Sequence, residues 1–464
     1  MRSRKIAAVC AVLLSAMMLS GCGRVTYDDF DIPESGESQL VPVENVFSEK
    51  HYAGVAPTKE ETKEVYESAD GLCRIEQKDS YYDVTLDYEK GSYKDVGAAY
   101  AEAILLARPD YVEYLEQYLY ENINSVANDS NEEYEEIEKR TTAIYTSLDE
   151  DYRQELEGFA EGLSGDVNEF KKNGVLSHDE VILMELIPDV LRGTACSAIT
   201  ANGSTTASGE RITCRVLEWQ LGSENQICQA HTLVHYKNGE KSFTSVTYMG
   251  FFPILSAVNK EGVFLGELDV GSAGSEYTYE NKTSYTYAMR YALENMGSAR
   301  ECAEYLAENS KRYPFCVNIL ATDKKDAFIA ELVVTDEEKD GETVLREGDT
   351  KLNETVEWSD PNYLCAVNSF AAEGNNDYLT YSEGNLIRWK RYEQLFCGQK
   401  DMTLDHFKEL MTCEKLSKDL VCIRSDSVVH MVIADYATNT LQAILTGKDG
   451  VAEEPEFIDL GSWE

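Results

Sequence analysis

Residues 196–219, CSAITANGSTTASGERITCRVLEW, decide the fold. Two β-rich runs flank a centre of turn formers, Asn202-Gly203 and Ser208-Gly209, which is the pattern of an antiparallel hairpin. With the turn centred near residue 206, residue i faces about 412 − i, so Cys196 lies across from about Val216. Cross-strand neighbours are roughly 5 Å apart, which brings Arg215 and, depending on the pleat, Glu218 toward the Cys196 thiol. A cysteine beside a guanidinium is a candidate thiolate. Without such a neighbour, a buried cysteine is ordinarily inert core.

Outward from this hairpin, the sequence changes character at Cys196. From Asp95 to Arg192 apolar residues recur every three or four positions, in DVGAAYAEAILLA, DYVEYLEQYLYENI, EEYEEIEKRTTAIYTSL, DEDYRQELEGFAEGL and SHDEVILMELIPDVL. Gly162 and Gly174 stand where helices should stop. The tyrosines from Tyr111 to Tyr120 read as core packing. Beyond the hairpin come strands at ICQAHTLVHYK, KSFTSVTYMG and GVFLGELDV, with Asn238-Gly239 as a turn, then helices at SYTYAMRYALENM and SARECAEYLAEN. Strands return at FCVNILATD, AFIAELVVT and YLCAVNSF, with an acidic insert, 336–360, read as a surface excursion. Helices at NLIRWKRYEQLF and LDHFKELM precede a closing hairpin, VVHMVIADY and LQAILTG. Alternating blocks of strands and helices predict an α+β fold of two stacked antiparallel sheets covered by helices.

The chain has 464 residues, with 84 acidic and 42 basic side chains and a net charge of −42. That excludes a small disulfide-stapled scaffold and a nucleic-acid binder driven by phosphate neutralisation. At the N-terminus Arg2, Arg4 and Lys5 precede an apolar run, Ile6 to Leu19, too short to span a membrane, which ends in Leu19-Ser20-Gly21-Cys22. This order looks like a bacterial lipoprotein lipobox. Residues 1–21 are then a signal peptide, and Cys22 carries a lipid at the extracytoplasmic face of the cell membrane. Residues 22–69 read as a flexible tether, 70–195 as a mainly helical region, and 196–464 as the region bearing the reactive cysteine. Among the other cysteines there is no CxxC pair, and histidines number six, so neither a structural zinc site nor a cofactor is expected. His231 and His235 share a strand face without a third ligand.

The hairpin with its Arg215-Val216-Leu217-Glu218-Trp219 arm resembles the N-terminal-nucleophile cysteine hydrolases: the choloylglycine hydrolases and, more closely, the penicillin acyltransferase-like family of self-cleaving acyltransferases and hydrolases. QELEGFAEGL is similar to that family's propeptide helix, Asn259-Lys260-Glu261-Gly262-Val263 to the turn before its next strand, and Ala366-Val367-Asn368-Ser369-Phe370 to its Asn-containing strand. Ile387-Arg388-Trp389 falls where a late Arg is expected, so the likeness runs from about Asp95 to Gly447. It implies a four-layer αββα sandwich and a self-made cut between Ala195 and Cys196, giving two chains of one precursor. The freed α-amine, with an ordinary pKa near 8, then serves as base for the thiol on its own residue. Cys196 is the implied nucleophile, with Arg215 supporting it and Glu218 orienting the new ammonium or Arg215. Asn368 is the implied oxyanion donor, and Arg388 organises the site or binds a substrate carboxylate. Asp269 falls where choloylglycine hydrolases have a second oxyanion Asn, and an ionised Asp cannot donate a hydrogen bond. Ala195 stands where self-cleaving relatives commonly have glycine. The implied substrates are small acyl amides or esters such as conjugated bile salts, N-acyl amino acids, β-lactam side chains or small peptides, with water or an amine as acceptor.

Two other classes fit parts of the sequence. One is a papain-like pair of Cys196 with His406 or His430. The other is a surface binding lipoprotein that keeps the fold without the chemistry.

Overall fold

The computed structural model describes residues 56–127, 131–164, 172–191, 195–270, 278–335, 341–354, 356–375, 383–412, 423, 425–452 and 455–463. The signal segment, Cys22, the tether as far as residue 55, Cys413 and Cys422 lie outside them. In chain order the elements begin with β1 (Glu64–Glu67), β2 (Cys73–Gln77), β3 (Tyr82–Asp87), α1 (Tyr93–Ala107), α2 (Tyr111–Ala127), α3 (Asn131–Ser147), α4 (Glu150–Ser164), α5 (His178–Glu185) and α6 (Ile187–Val190). Strands β4 (Ala195–Ala201), β5 (Ile212–Glu218), β6 (His231–Lys237), β7 (Phe243–Tyr248), β8 (Ser256–Asn259) and β9 (Phe264–Asp269) follow. Next are α7 (Tyr285–Asn295), α8 (Ala299–Glu308), β10 (Val317–Thr322), β11 (Ala327–Leu332), β12 (Val344–Arg346) and β13 (Tyr363–Ala366). The chain closes with α9 (Glu383–Phe396), α10 (Leu404–Met411), β14 (Val428–Asp435), β15 (Thr440–Leu445) and β16 (Ile458–Ser462).

The strands form two sheets. One has ten strands in the order β1-β2-β3-β6-β7-β8-β9-β10-β11-β12, the other six in the order β13-β4-β5-β14-β15-β16. Side-chain alternation along β4, β5 and β14 builds the layers. Cys196, Ala198, Leu217, Val432 and Ala434 belong to the large core shared with the ten-stranded sheet. Their alternates Ile199, Cys214, Val216 and Met431 pack with Leu386, Trp389, Phe396 and Phe407 of α9 and α10. Helices α1, α7 and α8 pack on the ten-stranded sheet, and α4 packs on α1. The result is the expected α+β sandwich of two stacked sheets between helices.

Four expectations change. The tether is expected to reach Ala69 and no strand is expected before Cys196, yet β1, which falls within the tether, forms one edge of the large sheet with β2 and β3. These strands are short and acidic, so their sequence carries little β signal, and β3 finds its partner more than 140 residues away: Tyr82 pairs with Thr232, and the pairing is parallel. The large sheet is therefore not wholly antiparallel. The insert at 336–360 is not only an excursion, because it contributes edge strand β12, whose Arg346 is buried against Glu331 and the Cys365 carbonyl. Gly162 does not stop a helix, since α4 runs on to Ser164.

Gly162 instead belongs to a close crossing of α1 and α4. A Cβ at Gly97 would lie 2.0 Å from the Glu155 carbonyl oxygen, and one at Gly158 2.0 Å from that of Lys94. The two backbones thus touch through glycine on both sides. Gly158→Ala would gain about 1 kcal/mol of helix propensity but must part the helices. A net loss of about 1–3 kcal/mol is expected from overpacking, read as a lower denaturant midpoint with an unchanged slope.

Candidate active site

Strand β4 is held in a hairpin with β5, Ala195 opposite Glu218 and Cys196 opposite Leu217. The ten residues between Ala201 and Ile212 are shaped by a 3₁₀ turn at Gly203–Thr205, capped by Asn202, and by Gly209 at φ 79°. This sets the axis so that paired numbers sum to 413, one residue from the expected register. The difference matters because a one-residue slip exchanges the faces of a strand. With the register present, Ala198 opposes Arg215, so Arg215 and Cys196 share the face between the sheets.

Arg215 Nη2 lies 3.2 Å from Cys196 Sγ. The guanidinium is completely buried, and its other hydrogen bonds fix it: Nε and Nη2 to the Glu267 carbonyl at 3.1 and 2.7 Å, Nη2 to Glu267 Oε2 at 3.3 Å, and Nη1 to Ser256 Oγ at 3.2 Å. Gly266 makes room for it, since a Cβ there would meet the Arg215 stem at 3.0 Å. The second guanidinium approaches from the other face. Arg388 Nη1 donates to the Cys196 carbonyl at 2.9 Å and to Glu218 Oε2 at 2.5 Å, and Nη2 donates to Asn368 Oδ1 and Asn385 Oδ1, each at 2.8 Å. Asn368 Oδ1 also accepts the Cys196 N–H at 2.7 Å. Ser425 Oγ bonds the remaining oxygen of Glu218. Cys196 is therefore gripped at its thiol, its amide N–H and its carbonyl by residues from three distant segments.

The expected residues converge, with two differences in role. Two donors, Cys196 N–H and an Arg388 nitrogen, face the same atom of the Asn368 amide, which fixes that atom as oxygen. Its Nδ2 donates to the Asp269 carbonyl at 2.6 Å rather than pointing to an oxyanion. The Asp269 main chain accordingly anchors Asn368. Arg388 is buried and bonds Cys196, Glu218, Asn368 and Asn385, so it is not a solvated helix residue. Ala195 precedes Cys196 within β4 itself.

Two participants escaped the sequence reading. Glu267 alternates with apolar residues in GVFLGELDV, which reads as an outward position, yet it is fully buried beside Arg215. Burial pushes its carboxyl up to about 7, with Arg215 pulling the other way and Asp269 adding to the rise. Asn385 clamps Asn368 from α9, accepting its N–H at 3.2 Å and donating to its carbonyl at 3.0 Å. The Asn385-x-x-Arg388 spacing, which puts both on one helix face, was the available signal.

The thiol is neutral as it stands. Burial pushes it up to about 12; Arg215 lowers it, Glu267 raises it, and hydrogen bonding from the Glu218 main chain lowers it. His430 lies close by, but its Nε2 faces Arg215 Nη1 and Ser256 Oγ, each at 3.4 Å, and burial, Arg215 and His231 hold it well below the usual imidazole range. It is a neutral acceptor for the guanidinium. His406 pairs with Glu409 on its own helix. His231 Nε2 lies 3.1 Å from the Thr446 carbonyl and His235 pairs with Asp83. All eight described cysteines are free thiols. Among the described residues no helix is long and apolar enough to cross a membrane.

An apolar pocket adjoins the site. Trp219, directly after Glu218, and Tyr248, whose ring packs 6.3 Å from that of His430, form one wall, and Tyr111, Tyr118, Met184 and Leu255 complete it. Of the tyrosines of α2, read as core packing, Tyr111, Tyr118 and Tyr120 are buried and Tyr114 is half-buried, and Tyr111, Tyr114 and Tyr118 also line this pocket.

No protein-family model matches the chain, and no curated protein matches it in sequence. Solved structures do. The chain is similar to a Caenorhabditis elegans N-acylethanolamine-hydrolyzing acid amidase ortholog at 12% identity and a TM-score of 0.37, over 52% of this chain and 93% of that one. It is also similar to a mutant of the conjugated bile acid hydrolase of Clostridium perfringens, at 10% identity and a TM-score of 0.32, over 57% of this chain and 92% of that one. A second variant of that hydrolase gives 10% identity and a TM-score of 0.27, over 58% of this chain and 85% of that one. These likenesses are low and partial, and the chemistry of the site rests on its own geometry.

Proposed function

We propose that this protein is a cysteine amidohydrolase or acyltransferase of N-terminal-nucleophile type, of the penicillin acyltransferase-like kind, exported and held at the membrane by a lipid on Cys22. The observation that carries the reading is the threefold grip on Cys196 by Arg215, Asn368 and Arg388. A structural cysteine in a strand needs none of it.

In the intact chain the nitrogen of Cys196 is an amide and cannot act as a base. Attack of Sγ on the Ala195 carbonyl forms a thioester and breaks the C–N bond, the nitrogen taking up the thiol proton. Water then cleaves the thioester, leaving a carboxylate on Ala195 and a free amine and thiol on Cys196. The amine relays the thiol's proton in each later turnover: Sγ attacks the substrate carbonyl, the leaving amine takes that proton, and water or an acceptor amine removes the acyl group. Arg215 stabilises the sulfur as it loses its proton. Arg388, paired with Glu218, holds the Cys196 carbonyl so that the new terminus keeps its place. The pocket beside Trp219 is apolar in its lining but holds only about 50 Å³, room for a small hydrophobic group at most.

The test is a panel of N-acyl amides with mass analysis of the trapped protein. An acyl adduct on the peptide beginning at Cys196 is the expected result, and His406→Ala should turn over at the wild-type rate. Adducts confined to another thiol would overturn the assignment. An uncut chain with no adduct at all would favour a binding protein.

A further inference from the structure

Six residues before the Ala195–Cys196 bond, a buried carboxylate bonds across to another part of the chain. Asp189 in α6 is fully buried and reaches the N-terminus of α7, an element from the other side of the bond. Its Oδ1 accepts the Tyr285 N–H at 2.8 Å, and its Oδ2 accepts the hydroxyls of Ser284 at 2.8 Å and Thr286 at 2.7 Å. Ser284 is the N-cap of α7 and accepts the Tyr287 N–H at 3.0 Å, so a single serine caps the helix and bonds the incoming carboxylate. A negative charge at a helix N-terminus meets both unpaired N–H groups and the positive end of the helix dipole. The neighbouring contact ties this joint to the catalytic machinery. Tyr285 Oη lies 3.3 Å from the Pro188 carbonyl and 3.4 Å from Glu267 Oε1, and Glu267 bonds the Arg215 that touches the thiol.

We propose that Asp189 is a positioning residue for self-cleavage, docking the arm that carries the Ala195 carbonyl onto α7 so that this carbonyl is presented to the Cys196 thiol. The inference rests on the self-cleaving reading above. The Ala195 carbonyl is bonded to the Cys196 nitrogen, so its distance from the sulfur is set within that peptide unit, and an anchor six residues upstream acts on its orientation. The Cys196 side of the bond is fixed separately, by Asn368 and Arg388. Releasing the arm would leave the nucleophile in place but let the target carbonyl turn out of the line of attack. Once the bond is open, the Ala195 carbonyl no longer has to be presented, and Tyr285 remains held by its own helix, α7.

The experiment follows cleavage of the full chain over time by intact mass, and separately measures turnover per cleaved molecule, counted by titrating Cys196 with an electrophile. Asp189→Ala should slow cleavage by about tenfold or more while turnover per cleaved molecule stays within about twofold of wild type. Asp189→Asn, which keeps one acceptor oxygen, should fall between. Thr286→Val, which removes one donor and keeps the shape, should slow cleavage to a smaller degree, and it carries the test if Asp189→Ala does not fold. Cleavage at the wild-type rate in the variants would overturn the proposal, and so would an equal fall in cleavage and in turnover per cleaved molecule. A wild-type chain that never cuts would bring down the self-cleaving reading and this inference with it, a result distinct from failure of the anchor alone.

Discussion

Cys196→Ala should yield a single uncut polypeptide and reduce turnover of any acyl amide by at least about a thousandfold, because it removes the only atom assigned to form a bond with substrate. Folding should survive. The lost Arg215–sulfur contact costs on the order of 1 kcal/mol, and Arg215 keeps Glu267, Ser256 and His430. The wild-type sulfur should also behave differently before and after the chain opens. With the thiol pushed up to about 12, roughly one molecule in ten thousand carries a thiolate at pH 8, so the uncut chain should resist alkylating agents across the physiological range. Raising the pH toward 12 increases labelling, since the charged form is the one that burial disfavours. Arg215→Met should push the thiol higher still and slow labelling further, because it deletes the cation that opposes burial. Mass spectrometry after timed iodoacetamide exposure checks each point. Rapid labelling of the uncut chain at about pH 7 would contradict the buried, neutral thiol.

Arg290→Met should cost about 3–5 kcal/mol, the largest stability loss expected of a single substitution here. Arg290 of α7 is buried among charges and rings: Nη2 donates to Glu155 Oε1 at 2.9 Å and Nε to Glu294 Oε1 at 2.9 Å, with the guanidinium 4.8 Å from the ring centres of both Tyr152 and Tyr236. Burial works against its charge, and Glu155 and Glu294 more than offset that. Methionine fills the volume but leaves two carboxylates without their cation. Glu155 lies on α4, so the loss should loosen the packing of the helices that precede Cys196. Adding Glu155→Gln should recover part of the loss, which a double-mutant cycle in denaturant would measure. Additive losses would mean that the two side chains do not act as a pair.

What could be read from the sequence was mostly local. The hairpin of β4 and β5 was legible because turn formers sit between two alternating runs, and it pointed to Cys196 and Arg215 together. The register was missed by one position because the loop's span depends on its 3₁₀ turn and on Gly209, which the turn dipeptides did not determine. Asn368 and Arg388 could be placed only by resemblance, since they reach Cys196 across more than 170 residues. Glu267 was hidden by its own alternation. A strand packed on both faces has no outward side, so a polar residue there must be partnered, and the partner was not visible from the strand. The edge strands β1 to β3 were missed for the opposite reason: a short acidic strand such as EVYE is stabilised by its neighbours more than by its own composition.

The parallel seam between β3 and β6 bears on what a cut would mean. β3 precedes Cys196, β6 follows it, and the two are stitched along six consecutive residue pairs in the interior of the large sheet. A nick at the Ala195–Cys196 bond would thus divide the polypeptide but not the solid. The two pieces would remain interwoven as adjoining planks of one floor, and separating them would require melting the sheet rather than dilution.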